Sequence, residues 1–197
     1  MKRVIVIGAG GHGKVIADII RLSGDEVVGF IDDKNPSELP DFNIVGTTAD
    51  IGKCYCWYFP AVGECDTREH LMMHKVKWYT AIHPASTIAQ GVKIGEGSCV
   101  MANSVINPGA VLGKGVIVNT AATIDHDCRI SSFVHIAPGA HISGSVSVGE
   151  KCWIGIGALI CNNIDICSGC IIGAGTVIIK NIDEVGTYVG VPSRKIR

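Results

Sequence analysis

Ile124-Asp125-His126-Asp127-Cys128-Arg129-Ile130-Ser131-Ser132-Phe133-Val134-His135-Ile136 carries an aliphatic residue at every sixth position. Stepping back by six from Ile124 meets Val118, Leu112, Ile106, Val100, Ile94, Ile88 and Ile82. Stepping forward from Ile136 meets Ile142, Val148, Ile154, Ile160, Ile166, Ile172 and Ile178. Leu112 alone in this series is neither Ile nor Val. A fixed short period of strand-forming residues is the signature of a repeat architecture and decides the fold before any other feature.

The position four residues further along each hexad is restricted in a second way. It is occupied by Ser98, Ser104, Ala110, Val116, Ala122, Cys128, Val134, Ala140, Val146, Cys152, Ala158 and similar small or β-branched residues. The physical reading is a triangular prism in which each hexad makes one short strand and one tight turn. Three hexads close one coil, so residues 18 apart stack. The aliphatic position points inward and the small position fills the corner, where a larger side chain would overpack. Glycines between them supply turns that need positive φ. Coils about 4.8 Å apart share parallel backbone hydrogen bonds. The run from residue 82 to 183 is unbroken and makes five to six coils with no extruded loop. Cys128, Cys152 and Cys170 fall at the small interior position, as compact hydrophobes.

This pattern resembles the left-handed parallel β-helix of the hexapeptide-repeat acyltransferases. The resemblance implies the left hand, which the spacing does not show. It also implies a homotrimer with active sites between neighbouring prisms, and acetyl-CoA as co-substrate.

Ahead of the repeat, Val4-Ile5-Val6-Ile7 reads as a buried parallel strand and Val15 to Leu22 as an amphipathic helix, with Val27 to Ile31 a second strand. Gly8, Gly10 and Gly13 make a GxGxxG turn between strand and helix, with Asp32 and Asp33 some twenty residues on. Such a turn brings backbone N–H groups and a helix N-terminus to a phosphate. In Gly10-Gly11-His12-Gly13-Lys14, His12 and Lys14 are expected to add donors there. About 80 residues cannot hold both halves of an NAD site, which leaves a nucleotide or nucleotide sugar, or a structural turn. Ile44 to Gly46 and Trp57 to Gly63 are further strand candidates, Asn35 to Pro40 a surface loop, and Thr67 to Val76 a helix. The expected architecture is a small Rossmann-like α/β domain over residues 1–80, followed by a left-handed parallel β-helix over 81–197. Joined, the two are similar to the nucleotide-sugar acetyltransferase group: bacillosamine-pathway and perosamine N-acetyltransferases and sialic-acid O-acetyltransferases.

His126 is the sharpest candidate for chemistry. It sits at the third, outward position of its hexad between two acids. An amine or hydroxyl attacking a thioester must lose a proton, and a neutral imidazole accepts one near pH 7. The resemblance makes His126 the general base and Asp127 the acid that orients it; by sequence Asp125 serves equally well. Gly144, one coil above, matches a glycine whose N–H contacts the acetyl carbonyl. Asn119 matches an asparagine near the sugar's amino group and His135 a contact to acetyl-CoA or substrate. His135 lies half a coil from His126, so the two can meet only across a subunit contact. Gly155, Gly157, Gly173 and Ala174 offer a smooth wall for a pantetheine arm, and Arg194 and Lys195 a contact to coenzyme A phosphates.

A formal net charge of −1 over 197 residues, with a pI near 6.6, provides no basic field for nucleic acid or an anionic membrane. No apolar run reaches a signal peptide or a membrane span, so the mean hydropathy of +0.35 reports a dense core. Nine cysteines, an odd count without a secretion signal, suggest reduced thiols and a cytoplasmic protein. The expected function is transfer of acetyl from acetyl-CoA to the 4-amino group of a UDP- or GDP-linked 4-amino-4,6-dideoxy sugar. Sialic-acid O-acetylation and a non-catalytic nucleotide-sugar sensor are the alternatives. A zinc hydrase on the same fold is disfavoured by the spacing of His126, His135 and His141, so no metal is expected.

Overall fold

The computed structural model describes residues 1–34, 37 and 41–197. The loop expected over Asn35 to Pro40 falls, Ser37 apart, outside the described residues.

The N-terminal domain is a parallel five-stranded sheet. In chain order it runs β1 (Arg3–Ile7), α1 (Gly11–Leu22), β2 (Glu26–Ile31), β3 (Ile44–Gly46), β4 (Trp57–Pro60), α2 (Cys65–Leu71) and β5 (Lys77–Trp78). The spatial order β3-β2-β1-β4-β5 reverses its winding between β1 and β4. Helix α1 begins four residues earlier than its apolar pattern suggests, because Gly10, in extended conformation, acts as its N-cap. Its Ile16, Ile19 and Ile20, spaced three and four apart, are buried with Val4 and Val6 of β1. A Cβ on Gly13 would collide with the Gly8 carbonyl oxygen, so glycine is what lets the helix sit against the turn. Helix α2 starts earlier and ends sooner than expected. The Glu64 carboxylate caps it by accepting from the Asp66 and Thr67 amides at 3.0 and 2.6 Å.

The prism is built from two-residue strands, from Ala81–Ile82 to Val177–Ile178. Pairing is parallel and 18 residues apart, as in Val105 with Thr123 and Ile106 with Ile124. The outward residues of the first wall are Ala81, Cys99, Ile117, His135, Trp153 and Ile171. The second wall carries Thr87, Val105, Thr123, His141, Leu159 and Val177. The third carries Lys93, Val111, Arg129, Ser147 and Asp165. Strands Thr187–Val189 and Arg194–Lys195 extend the first wall at its C-terminal end. From Val100 to Ile178 every member of the aliphatic ladder is 3% exposed or less. Ile82, with no coil beneath it, is 38% exposed. Burying each such side chain contributes roughly 1.5–3 kcal/mol.

The small interior position does more than avoid overpacking. Ser104 Oγ donates to the Asn119 carbonyl at 2.8 Å, and the Cys128 and Cys152 thiols donate to the Ser143 and Cys167 carbonyls at 3.1 Å. Each bond ties a corner to the coil above. The turns are less dependent on glycine than expected: Asn103, Ala121, Asp127, Phe133, Ser145, Lys151 and Asn163 also adopt positive φ. Two cysteine pairs depart from a reading of isolated reduced thiols. Cys54 and Cys56 are joined as a disulfide, and Cys167 and Cys170, a Cys-x-x-Cys pair within the repeat, bring their sulfurs to 3.4 Å. Cys167 and Cys170, like Cys65, Cys99, Cys128, Cys152 and Cys161, are free thiols.

The N-terminal coils of the first wall are covered by the N-terminal domain: Ala81, Cys99, Met101 and Ile117 share a core with Ile16, Ile20 and Phe59. Helix α2 lies along the edge between the third and first walls. Arg68 reaches the turns at Gly115 and Phe133, and Lys151 pairs with Asp66 and Glu69 at 3.0 and 2.6 Å.

Candidate active site

The corner between the second and third walls carries Asp125-His126-Asp127. Its residues stack, one coil apart, on Asn107-Pro108-Gly109 below and Ser143-Gly144-Ser145 above. The His126 Nδ1 and Asp127 Oδ2 are 2.9 Å apart. Asp125 is occupied otherwise: its Oδ1 accepts from the His126 amide at 2.7 Å and from Asn107 Nδ2 at 2.7 Å. Of the two acids that flank the histidine, Asp127 thus bonds the ring and Asp125 fixes the backbone beneath it. Asp127 reaches the ring from a positive φ of 60°, a conformation that aspartate tolerates better than most residues. Gly109 makes room for it, since a Cβ there would collide with Asp127 Oδ1.

With Asp127 on Nδ1, the Nε2 of the neutral ring carries the free lone pair. The Asp127 hydrogen bond, more than the charges of Asp125 and Asp127, holds the His126 pKa above the ordinary imidazole value. The ring is open to solvent, with a side chain 57% exposed. Its Nε2 edge abuts the Gly144 backbone, where an added Cβ would lie 2.5 Å from Nε2. The arrangement is that of an accessible imidazole base, oriented by a carboxylate, beside a stretch of bare main chain.

Asn119 and His135 lie elsewhere. Asn119 turns the corner between the first and second walls, in one column with Ala137, Gly155 and Gly173. A Cβ on Gly155 would sit 2.6 Å from the Ile172 carbonyl oxygen, whereas Gly157 faces open space. His135, on the first wall, is 7% exposed. Its Nδ1 is 3.2 Å from the Gly63 carbonyl, its Nε2 3.4 Å from Asn119 Nδ2, and its ring lies 4.1 Å from that of Trp153. Within one chain, His126 and His135 are therefore on different faces. At the C-terminus, Lys195 pairs with Glu184 at 2.7 Å, while Arg194 is exposed.

The glycine turn is arranged differently from the expectation for its side chains. His12 turns toward the junction with the β-helix, where burial and the nearby His135 and Arg68 push its pKa down to about 4. A half-buried ring that stays neutral near pH 7 brings no charge to a phosphate. Lys14 pairs with Asp41 at 3.1 Å. What remains open is main chain: a Cβ on Gly10 or Gly11 would meet nothing within 4 Å. Asp32 accepts from the Ala9 amide at 2.8 Å and Asp33 from Thr48 through its amide and hydroxyl at 2.8 and 3.0 Å. Both acids brace loops around a cleft of about 390 Å³ lined by Gly8, Asp32, Asp33, Thr48, Val62 and Thr67 among others. That cleft lies at the C-terminal ends of β1, β2 and β4, where the sheet reverses its winding and where nucleotides bind in such sheets.

Asn107, Gly109, Gly63, Arg68 and Trp153 are the residues that the sequence reading does not single out. The first two stand one coil below Asp125 and Asp127, so the 18-residue register points to them. The contacts of Gly63 and Arg68 cross between domains and leave no local signal. Among the described residues no group of three or more His, Cys, Asp or Glu is placed to hold a metal ion, and no helix is long and apolar enough to cross a membrane.

Comparison with known proteins agrees with this anatomy. Residues 3–75 match the PglD N-terminal domain family. The acetyltransferase domain of PglB from Neisseria gonorrhoeae FA1090 superposes with a TM-score of 0.93 at 39% identity, covering 100% of both chains. A structure of PerB from Caulobacter crescentus in complex with CoA and GDP-perosamine gives a TM-score of 0.92 at 30% identity, covering 100% of this chain and 98% of the other. UDP-N-acetylbacillosamine N-acetyltransferase of Bacillus subtilis (strain 168) is 34% identical over 120 residues, or 52% of each chain. An uncharacterized mimivirus protein, L142, is also 34% identical, over 22% of its length. The chain thus spans about half or less of the curated relatives it matches. With essentially full-length likeness to the PglB domain, a matching N-terminal family and an uninterrupted hexapeptide prism, the chain belongs to the hexapeptide-repeat sugar acetyltransferase family.

Proposed function

We propose that this protein transfers the acetyl group of acetyl-CoA to the 4-amino group of a UDP- or GDP-linked 4-amino-4,6-dideoxy sugar, as part of a homotrimer in the cytoplasm. The observation that carries the reading is the His126 ring, held at Nδ1 by Asp127 with Nε2 accessible beside Gly144. In this reading the amine nitrogen attacks the thioester carbonyl while His126 Nε2 removes its proton. The C–N bond forms, the tetrahedral oxyanion collapses and the C–S bond breaks. The proton then passes from the imidazolium to the departing CoA thiolate. The Gly144 N–H is the assigned oxyanion contact.

The cleft beside Gly8, Asp32 and Asp33 takes the nucleotide, with the main chain at Gly10, Gly11 and Gly13 approaching its phosphates. His12, Lys14, Asp32 and Asp33 shape that site rather than supply charge to the phosphates. A neighbouring copy brings its Asn119, His135 and the bare column at Gly155, Gly157, Gly173 and Ala174 opposite His126, with Arg194 and Lys195 at the coenzyme's phosphate end. A relative supports this acceptor class: PerB from Caulobacter crescentus is seen in complex with CoA and GDP-perosamine.

A thiol-release assay with acetyl-CoA and a panel of UDP-, GDP- and dTDP-linked amino sugars, CMP-sialic acid and free sialic acid tests the reading. Turnover on a nucleotide-linked 4-amino sugar is expected. Turnover on sialic acid alone replaces the acceptor, and binding without turnover on any member makes the protein a sensor.

A further inference from the structure

Among the described residues, the junction between the domains contains a buried cation with no ion-pair partner. Arg68 is 0% exposed. Its Nε donates to the Gly115 carbonyl at 2.6 Å and its Nη2 to the Phe133 carbonyl at 2.6 Å. Its Nη1 donates to the Val62 and Gly63 carbonyls at 3.0 and 2.8 Å. The remaining partners are the Glu64 carbonyl and the Cys65 sulfur; none is a carboxylate. Burying a guanidinium without an ion pair is unfavourable, so its stabilisation comes from this full set of acceptors.

Those acceptors are not arbitrary pieces of backbone. Gly115 and Phe133 are equivalent turn residues on successive coils, both at positive φ, 63° and 62°. Glycine adopts that conformation freely; phenylalanine does so only where its surroundings enforce it. Arg68 binds the carbonyls of both turns, and His135 follows Phe133 by two residues. The Gly63 carbonyl, also held by Arg68, is the group that faces His135 Nδ1 at 3.2 Å. A carbonyl only accepts, so this contact requires the proton on Nδ1. Nε2 is then the ring's acceptor, and in the free chain it faces the Asn119 amide, whose Nδ2 donates to it at 3.4 Å. The ionisable groups around this cluster are His12 from α1, Glu64 and Cys65 from the start of α2, and Cys99 from the first wall. Burial, with a further push from Arg68, lowers the His135 pKa to about 4, and His12 behaves alike.

We infer that Arg68 is a positioning residue, clamping the Gly63 carbonyl and the turns at Gly115 and Phe133 so that His135 is locked as its Nδ1–H tautomer. In this state Nε2 is the ring's one acceptor, open to an N–H or O–H group of the bound ligand where that group takes the place of the long Asn119 contact, and the ring presents a phosphate with no N–H on that side. The assignment to catalysis rests on the proposed function, in which His135 faces a ligand; the tautomer itself does not.

The test is ¹⁵N NMR of the full-length protein with labelled histidines, the His135 signals being identified by their loss in His135→Gln. Wild-type His135 is expected as a single Nδ1–H tautomer that stays neutral down to about pH 5.5, since its pKa lies near 4. Arg68→Met should give mixed tautomers and a ring titrating closer to the ordinary value. KM for one substrate should rise about tenfold, with kcat changed far less, the pattern of lost binding. Arg68→Lys should recover part of both effects. A wild-type ring protonated at Nε2, or titrating near 6.5, overturns the inference. So does a folded Arg68→Met whose His135 spectrum matches wild type. If Arg68→Met does not fold, the wild-type spectrum and Arg68→Lys still decide. The spectra are read without substrate, so absence of acetyl transfer would count against the proposed activity and not against this role for Arg68.

Discussion

At the scale of single residues, the proposed chemistry stands on one exposed imidazole and the carboxylate that turns it. His126→Ala should lower kcat by about 10²–10⁴-fold, the usual loss for a general base, with acetyl-CoA affinity nearly unchanged by calorimetry. A near-wild-type rate would remove His126 from the mechanism. The pH dependence follows from the direction of its shift. The Asp127 bond raises the pKa of His126, so the free base appears, and kcat/KM rises, only above the ordinary imidazole range. Asp127→Asn removes the largest raising influence and should move that limb to lower pH while reducing the plateau. The same linkage gives stability that is fully present below the unfolded-state pKa and lost as pH rises through the folded-state value. Asp125→Asn, whose partners are the His126 amide and Asn107, should move the limb less. A limb unmoved by Asp127→Asn, or moved more by Asp125→Asn, would reverse their roles.

At the scale of the element, each coil gives the next its register. Gly144 shows how a turn in one coil limits a side chain in another. A methyl group there would lie 2.5 Å from His126 Nε2, so Gly144→Ala must displace the ring while leaving the ladder beneath untouched. The expected outcome is a loss of kcat of at least tenfold, an estimate from misplacing a base by about 1 Å. Thermal stability should stay within a few degrees of wild type. Unchanged kcat would mean that the ring and the glycine are not in contact. The prism was legible because a period of six exposes its interior at Ile124, Ile130 and Ile136 without reference to anything distant. The pairing of His126 with Asp127 was half legible: family resemblance favoured Asp127, but the side chains of 125 and 127 are equivalent until the turn assigns positive φ to one of them. The fate of His12 was not legible. Its loop reads as a phosphate cradle, and only the docking of α1 beside His135 and Arg68 turns the ring inward and neutral. The start of helix α2 is hard to read from sequence because its cap is the Glu64 carboxylate rather than a Ser or Thr.

At the scale of the whole molecule, the three walls have unlike fates. The first is covered over its N-terminal coils by the N-terminal domain, whose apolar residues share a core with Cys99 and Ile117. The outward row of the third contains Lys93, Arg129 and Asp165. The second presents Thr87, Val105, Thr123, His141, Leu159 and Val177 without a single formally charged acid, lysine or arginine. Leu159, toward the C-terminal end of the row, is 44% exposed. A charge-free row beside the His126 corner is the surface expected to meet a neighbouring copy in the proposed trimer, since interface cores exclude charge. That contact would also bring another chain's bare column to His126, which its own His135 cannot reach. Leu159→Arg places a charge in the row without touching the interior ladder, because Leu159 points outward while Ile160 fills the core. Light scattering after size exclusion should show the wild-type protein as a trimer and the variant shifted to monomer at micromolar concentration. Acetyl transfer should fall in parallel, while circular dichroism continues to report the intact coils. A variant that remains trimeric and fully active would move the subunit contact to another wall and leave His126 without the neighbour that this geometry assigns to it.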